Sequence, residues 1–177
     1  MASELTPYQR PPENTKCEGR RLLTYLLFLA FGLMLAEAGA RWGLGLGAPP
    51  LSMEHPEIDY LFAPNQDVNR FGNRQLFNSY GMRSASLDQV GTRELVLVFG
   101  DSVLNGGNLT DHEELATTLA NNHDLFFGNV SAGRWGPGNY RGWINHFGLL
   151  GADSSIFVLS DHDVNDQPTF EPLNPNT

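Results

Sequence analysis

Between Leu22 and Ala36 the chain runs for fifteen residues, LLTYLLFLAFGLMLA, without a charge, and apolar character continues past Glu37 through Ala38, Gly39 and Ala40. A helix that crosses a bilayer needs about 20 such residues, so residues 22–41 suffice when Glu37 sits near the far interface. Lys16, Arg20 and Arg21 precede the run and only Arg41 follows closely. The positive-inside rule then keeps the N-terminus cytoplasmic and exports everything after the run. A cleavable leader has the same topology, with Ala36-Glu37-Ala38 or Ala38-Gly39-Ala40 as its small-residue site; the long polar stretch ahead of the run favours an uncleaved anchor. A buried core helix is the third alternative, and it lacks polar residues at helical spacing. The expected organisation is a cytoplasmic segment over 1–21, a transmembrane anchor or uncleaved signal over 22–41, a linker over 42–58, and one exported domain over 59–177.

Charge supports that division. Residues 1–40 hold four basic and four acidic side chains, so the net charge of -9 belongs to the remainder, which has seven Arg, sixteen Asp and Glu, and no Lys. Such a domain repels phosphate backbones, and no nucleic-acid partner is expected. The single cysteine, Cys17, excludes an internal disulfide and a Cys-based zinc site.

Residues 42–56, WGLGLGAPPLSMEHP, have no sustained period, and no element is predicted there. From Asp59 to Ser86 scattered apolar residues predict irregular or short-strand structure that decorates the domain. Leu95 to Phe99, LVLVF stopped by Gly100, is the pattern of a strand buried on both faces, as in a parallel sheet. Thr110 to Glu113 has capping-box spacing ahead of a stripe of Leu115, Ala116, Leu119 and Ala120. Leu125 to Val130 is a second strand, Asn139 to Leu150 an amphipathic helix, and Ile156 to Leu159 a third buried strand. Alternating strand and helix predicts an α/β parallel sheet with function at the carboxyl ends of its strands.

A polar loop follows each strand: Gly100-Asp101-Ser102, Ser131-Ala132-Gly133, and Asp161-His162-Asp163-Val164-Asn165-Asp166. The three would meet at one sheet edge, where the Ser102 hydroxyl faces backbone N–H groups and the Asn165 amide that can donate to a developing oxyanion. The last loop has calcium-like alternation at Asp161, Asp163 and Asn165. It lacks the required Gly at position six (Asp166) and Glu at position twelve (Pro172), so no metal is expected.

This constellation resembles the SGNH, or GDSL-like, hydrolase family over residues 76–166. Gly100-Asp101-Ser102 resembles the first block, with Ser102 at the nucleophile position. Asn129-Val130-Ser131-Ala132-Gly133 followed by Gly136-Pro137-Gly138-Asn139 resembles the second, with Gly133 as an oxyanion donor. Val164-Asn165-Asp166 resembles the third, with Asn165 as the other donor and Asp163 standing where Gly is usual. Asn78-Ser79-Tyr80-Gly81-Met82-Arg83 resembles a segment that precedes the first block in exported bacterial members. The implied fold is an incomplete three-layer, flavodoxin-like parallel sheet preceded by one transmembrane helix.

The resemblance implies Ser attack on an ester carbonyl without a cofactor, with His as base and Asp as its orienter from a C-terminal D-x-x-H block. No such block is present up to Thr177. His55, His112, His123 and His146 read as surface or packing residues. His162 lies on the same edge as Ser102 and is the one substitute base, although Asp161 and Asp163 beside it favour imidazolium. By analogy with exported relatives, the expectation is carbohydrate O-acyl ester chemistry in exopolysaccharide production, cellulose included, at a bacterial inner membrane. The implied partners are exopolysaccharide synthesis or acylation proteins and a polysaccharide ligand, on which Trp135, Tyr140 and Trp143 would stack unless they are core residues. A non-catalytic accessory module and a truncated reading frame are the alternatives. The family's strand order also leaves one long sheet edge open, which invites self-association.

Overall fold

The computed structural model describes residues 15–161 and Asp163. The chain divides into two units, the first ending at Gly39 and the second beginning at Ala40. In the first, α1 (Thr15–Ala38) is a helix of 24 residues, about 36 Å at 1.5 Å per residue, against an apolar bilayer core of roughly 30 Å. In sequence, a π-helical turn over Gly39–Gly43 comes next, at the boundary of the two units. The stretch Gly19–Gly43 is long and apolar enough to cross a membrane, and its leucines and phenylalanines are exposed.

The second unit opens with two antiparallel hairpins. The first pairs β1 (Ser52–His55) with β2 (Asp59–Phe62), and the second pairs β3 (Gln66–Arg70) with β4 (Asn73–Phe77). The β3–β4 turn places Phe71 at φ 52° and Gly72 at φ 84°, the left-handed pair that suits a two-residue hairpin connection. The presumption of an element-free linker over 42–56 therefore fails at β1. Its sequence, SMEH, carries no alternation and takes its pairing from β2.

A three-stranded parallel sheet follows, ordered β6–β5–β7, from β5 (Glu94–Gly100), β6 (Leu125–Ser131) and β7 (Ser154–Phe157). The apolar run Leu95–Phe99 is the central strand, buried throughout. Strand alternation turns Leu95, Leu97 and Phe99 toward one face, where they join Trp143 and Tyr140 of α4 (Pro137–Phe147) in a single core. On the other face lie α2 (Ser102–Asn105) and α3 (Ala116–Ala120), both against β6. The result is mixed α/β with helices on both sides of a parallel sheet.

Three expectations need correction. The stretch Asp59–Ser86 does more than decorate, because Leu61 and Met82 are core members, and Ile58, the last residue of the expected linker, joins them. Among the described residues α4 is the one long helix on its face, and the first hairpin covers what it leaves. The capped helix from Thr110 forms in two pieces: Asp111 caps a 3-10 turn at His112–Glu114, Leu115 at ψ 137° breaks the helix, and Leu119 is left 71% exposed. Finally, β7 is not buried. Ile156, Phe157, Val158 and Leu159 are all 40–59% exposed, because β7 is an edge strand paired, among the described strands, with β5 alone.

Candidate functional site

The register of the sheet brings the candidate loops together. Gly100 pairs with Ser131, and Phe99 pairs with Phe157. Ser102 and Gly133 thus stand two residues beyond paired positions of adjacent strands. On the other side Val158 N–H donates to Phe99 C=O at 2.8 Å, so the chain beyond β7 leaves at the same sheet end.

Ser102 opens α2, a single turn. Asp101 is its N-cap: the buried carboxylate accepts from Val103 N–H at 2.8 Å. Gly106 closes the turn in the left-handed region at φ 72°. The Ser102 side chain is exposed, and its Oγ makes no hydrogen bond among the described residues. No described histidine hydrogen-bonds to it. His112 is buried with Nδ1 unpartnered, His55 and His146 stack edge to face at 4.4 Å, and His123 is exposed. Burial holds the His112 pKa below its ordinary value, against the opposing pull of Glu113. His162 and Asn165 lie outside the described residues.

The Gly133 turn is built from β2. Tyr60 Oη donates to Gly133 C=O at 2.7 Å, and Tyr60 C=O accepts from Trp135 Nε1 at 3.1 Å. Ala132 C=O, on the peptide that carries the Gly133 N–H, accepts from Trp135 N–H at 3.4 Å. Burial, with Asp59 nearby, raises the Tyr60 pKa, which keeps the phenol a donor. Asn139 fixes the start of α4, accepting from Gly136 N–H at 2.9 Å and donating to Ile58 C=O at 2.6 Å. Trp135, Tyr140 and Trp143 are buried to within 3%. All three pack the core, and of them only Tyr140 borders a groove.

Behind Ser102 lies a buried polar network that periodicity did not reveal. Asn129 Nδ2 donates to Leu104 C=O at 3.1 Å and to Thr117 Oγ1 at 3.2 Å, and its Oδ1 accepts from Ser131 Oγ. Asn105 Nδ2 donates to Ser131 C=O at 2.9 Å. Two asparagines in or beside buried strands were the available signal, since buried amides need partners.

Beyond β7, Asp163 folds back on Ser160. Asp163, fully buried, accepts from Ser160 N–H at 2.7 Å and Ser160 Oγ at 2.8 Å. Ser160 Oγ also lies 3.4 Å from Asp101 Oδ2, linking this turn to the cap of the Ser102 helix. The site thus combines an exposed hydroxyl, a fixed loop bearing the Gly133 N–H, and a carboxylate-locked turn. Beside it, Pro137, Tyr140, Arg141, Ile144, Phe157 and Leu159 line an apolar groove of about 480 Å³. Comparison with family models, curated proteins and solved structures finds no match to the chain.

Proposed function

We propose that the chain is a membrane-anchored SGNH-like protein related to carbohydrate O-acyl esterases and acetyltransferases, acting in exopolysaccharide production or modification, with cellulose as one such polymer. In this reading α1 crosses a bacterial inner membrane once, the N-terminus is cytoplasmic and the α/β unit is periplasmic. The observation that carries it is the gathering of the exposed Ser102 and the Gly133 loop past paired ends of two adjacent parallel strands.

The chemistry would be attack of Ser102 Oγ on an ester carbonyl, with the Gly133 N–H donating to the oxyanion. A serine hydroxyl is a weak nucleophile until a base takes its proton, and none of the described residues accepts a hydrogen bond from Ser102 Oγ. This favours a second reading, a tethered module that holds an acylated polysaccharide without turning it over. Loss of the base costs on the order of 10⁶ in kcat in a measured serine triad, and an oxyanion hole alone keeps roughly 10³–10⁴ over water.

The test uses the full chain in detergent with p-nitrophenyl acetate and acetylated cello-oligosaccharides. Turnover barely above background, changed little by Ser102→Ala, together with co-sedimentation on acetylated polysaccharide, supports the tethered module. Robust turnover abolished by Ser102→Ala establishes the esterase. A chain that neither turns over nor binds these substrates refutes both readings.

A further inference from the structure

Arg83 is fully buried, yet none of its hydrogen bonds goes to a carboxylate. Its guanidinium donates to three backbone carbonyls instead: Nη1 to Asn105 at 2.5 Å and to Gly107, and Nη2 to Thr110 at 2.5 Å. These oxygens lie at the end of α2 and in the loop beyond it, where a helix terminus leaves carbonyls without intrahelical partners. A planar fork reaches several acceptors at once; an ammonium, a compact point charge, does not. Burial lowers the Arg83 pKa to about 10, against the opposing pull of Asp111; holding a charge there is costly unless the carbonyls around it are well placed.

The backbone that delivers Arg83 is itself pinned. Asn78 Oδ1 accepts from Tyr80 N–H at 2.9 Å and Met82 N–H at 3.2 Å, and Arg83 N–H donates to Asn129 C=O at 3.0 Å. Gly81 has φ 71°, and a Cβ there would lie 2.2 Å from Phe62 C=O. From Arg83 the connection runs both ways. Asn105 is the last residue of the turn that begins at Ser102, and its amide holds Ser131 C=O, two residues before Gly133.

We propose that Arg83 is a positioning residue for the Ser102 site, fixing through Asn105 the placement of the Ser102 turn relative to the strand end that leads to Gly133. This rests on the reading of Ser102 as the reactive position, but it can be tested without ester turnover. In full-length protein carrying Cys17→Ser and Ser102→Cys, the thiol at position 102 reports its own surroundings through its pH-dependent rate of iodoacetamide alkylation. Arg83→Met, Arg83→Lys and Asn105→Ala are compared in that background, with Trp143→Phe as a destabilising control remote from the fork and thermal midpoints measured for all.

The expected result is that Arg83→Met and Asn105→Ala move the alkylation midpoint up by about one pH unit, roughly tenfold slower below it. Arg83→Lys fails to restore the original profile, and Trp143→Phe lowers the thermal midpoint without moving it. Unchanged profiles in Arg83→Met and Asn105→Ala would reduce Arg83 to a stabilising role. Full restoration by Arg83→Lys would show that charge matters and the fork does not. If Arg83→Met does not fold, Asn105→Ala and Arg83→Lys decide the matter by the same criteria. Failure of the ester assay with a shifted thiol profile would refute the ester reading and leave the positioning role standing.

Discussion

Replacing Gly142 with alanine should destabilise the protein although the site is inside a helix, where that change ordinarily stabilises by about 1 kcal/mol. The reason is the approach of α4 to the turn before β2. A Cβ at position 142 would lie 1.9 Å from Glu57 O and 2.6 Å from its carbonyl carbon, against ordinary contacts of 3.4 Å or more. Helix and turn would have to part by about 1.5 Å. That displacement strains the 2.6 Å bond from Asn139 to Ile58 C=O and opens the fully buried contact of Ile58. Taking ~3 kcal/mol for overpacking against backbone and ~1 for the hydrogen bond, less ~1 for helix propensity, the net cost is about 3 kcal/mol. A loss of that size lowers the thermal midpoint of a domain this large by roughly 10 °C. Trp135 and Trp143, both buried, supply the fluorescence signal for unfolding. A midpoint equal to or above that of the parent protein would refute the close approach of α4 to Glu57.

Acid should destabilise the fold. His55 and His112 both have folded pKa values below the ordinary 6.5, mainly through burial, so the folded state binds fewer protons than the unfolded state there. Stability is full above about pH 6.5 and erodes as pH falls through it; His112→Gln should flatten that slope in urea titrations at pH 7 and pH 5. The exposed β7 edge should drive concentration-dependent self-association measurable by sedimentation. Ile156→Lys, placing a charge on that edge, should suppress it, and equal association in the variant would argue against the edge. A periplasm-dependent reporter fused after Thr177 should be active, and activity of a cytoplasm-dependent reporter at that point would overturn the proposed topology.

What was legible in the sequence was what local composition alone dictates. LVLVF, five apolar residues stopped by Gly100, has the pattern of a strand buried on both faces, and β5 lies at the centre of the parallel sheet. The apolar run at Leu22 specified a long helix by the same logic, and Asn139–Leu150 gave α4 from its periodicity, two residues late because Pro137 suits the first turn of a helix. The failures share a cause. SMEH becomes β1 by pairing with β2, and the stripe expected to bury Leu119 is interrupted where Leu115 breaks the helix. SSIFVLS reads as a buried strand, whereas its exposure is decided by what lies next to it. At the site, Ser102 and Gly133 were legible as loop residues after strands. Arg83 stood in the sequence only as the end of the segment Asn78–Arg83; what it holds was not legible, because the carbonyls it bonds lie 22 to 27 positions away.

The strand order also sets a schedule for folding. The hairpins close over short distances, Ser52 with Phe62 and Gln66 with Phe77, whereas β5 reaches β6 from Glu94 to Leu125 and β7 from Val96 to Ser154. Local pairs form quickly and distant ones wait. A chain emerging N-terminus first would therefore complete both hairpins while the LVLVF strand still lacked a neighbour on each side, presenting an apolar ribbon for much of its synthesis. A nascent chain arrested short of Ser154 should already protect Ile58 and Leu61 partially from hydrogen exchange, yet leave one edge of β5 open to proteases. The Ser102 and Gly133 loops would then take their final places among the last events, because the turn that ties Asp101 to Ser160 cannot form until that late stretch has arrived.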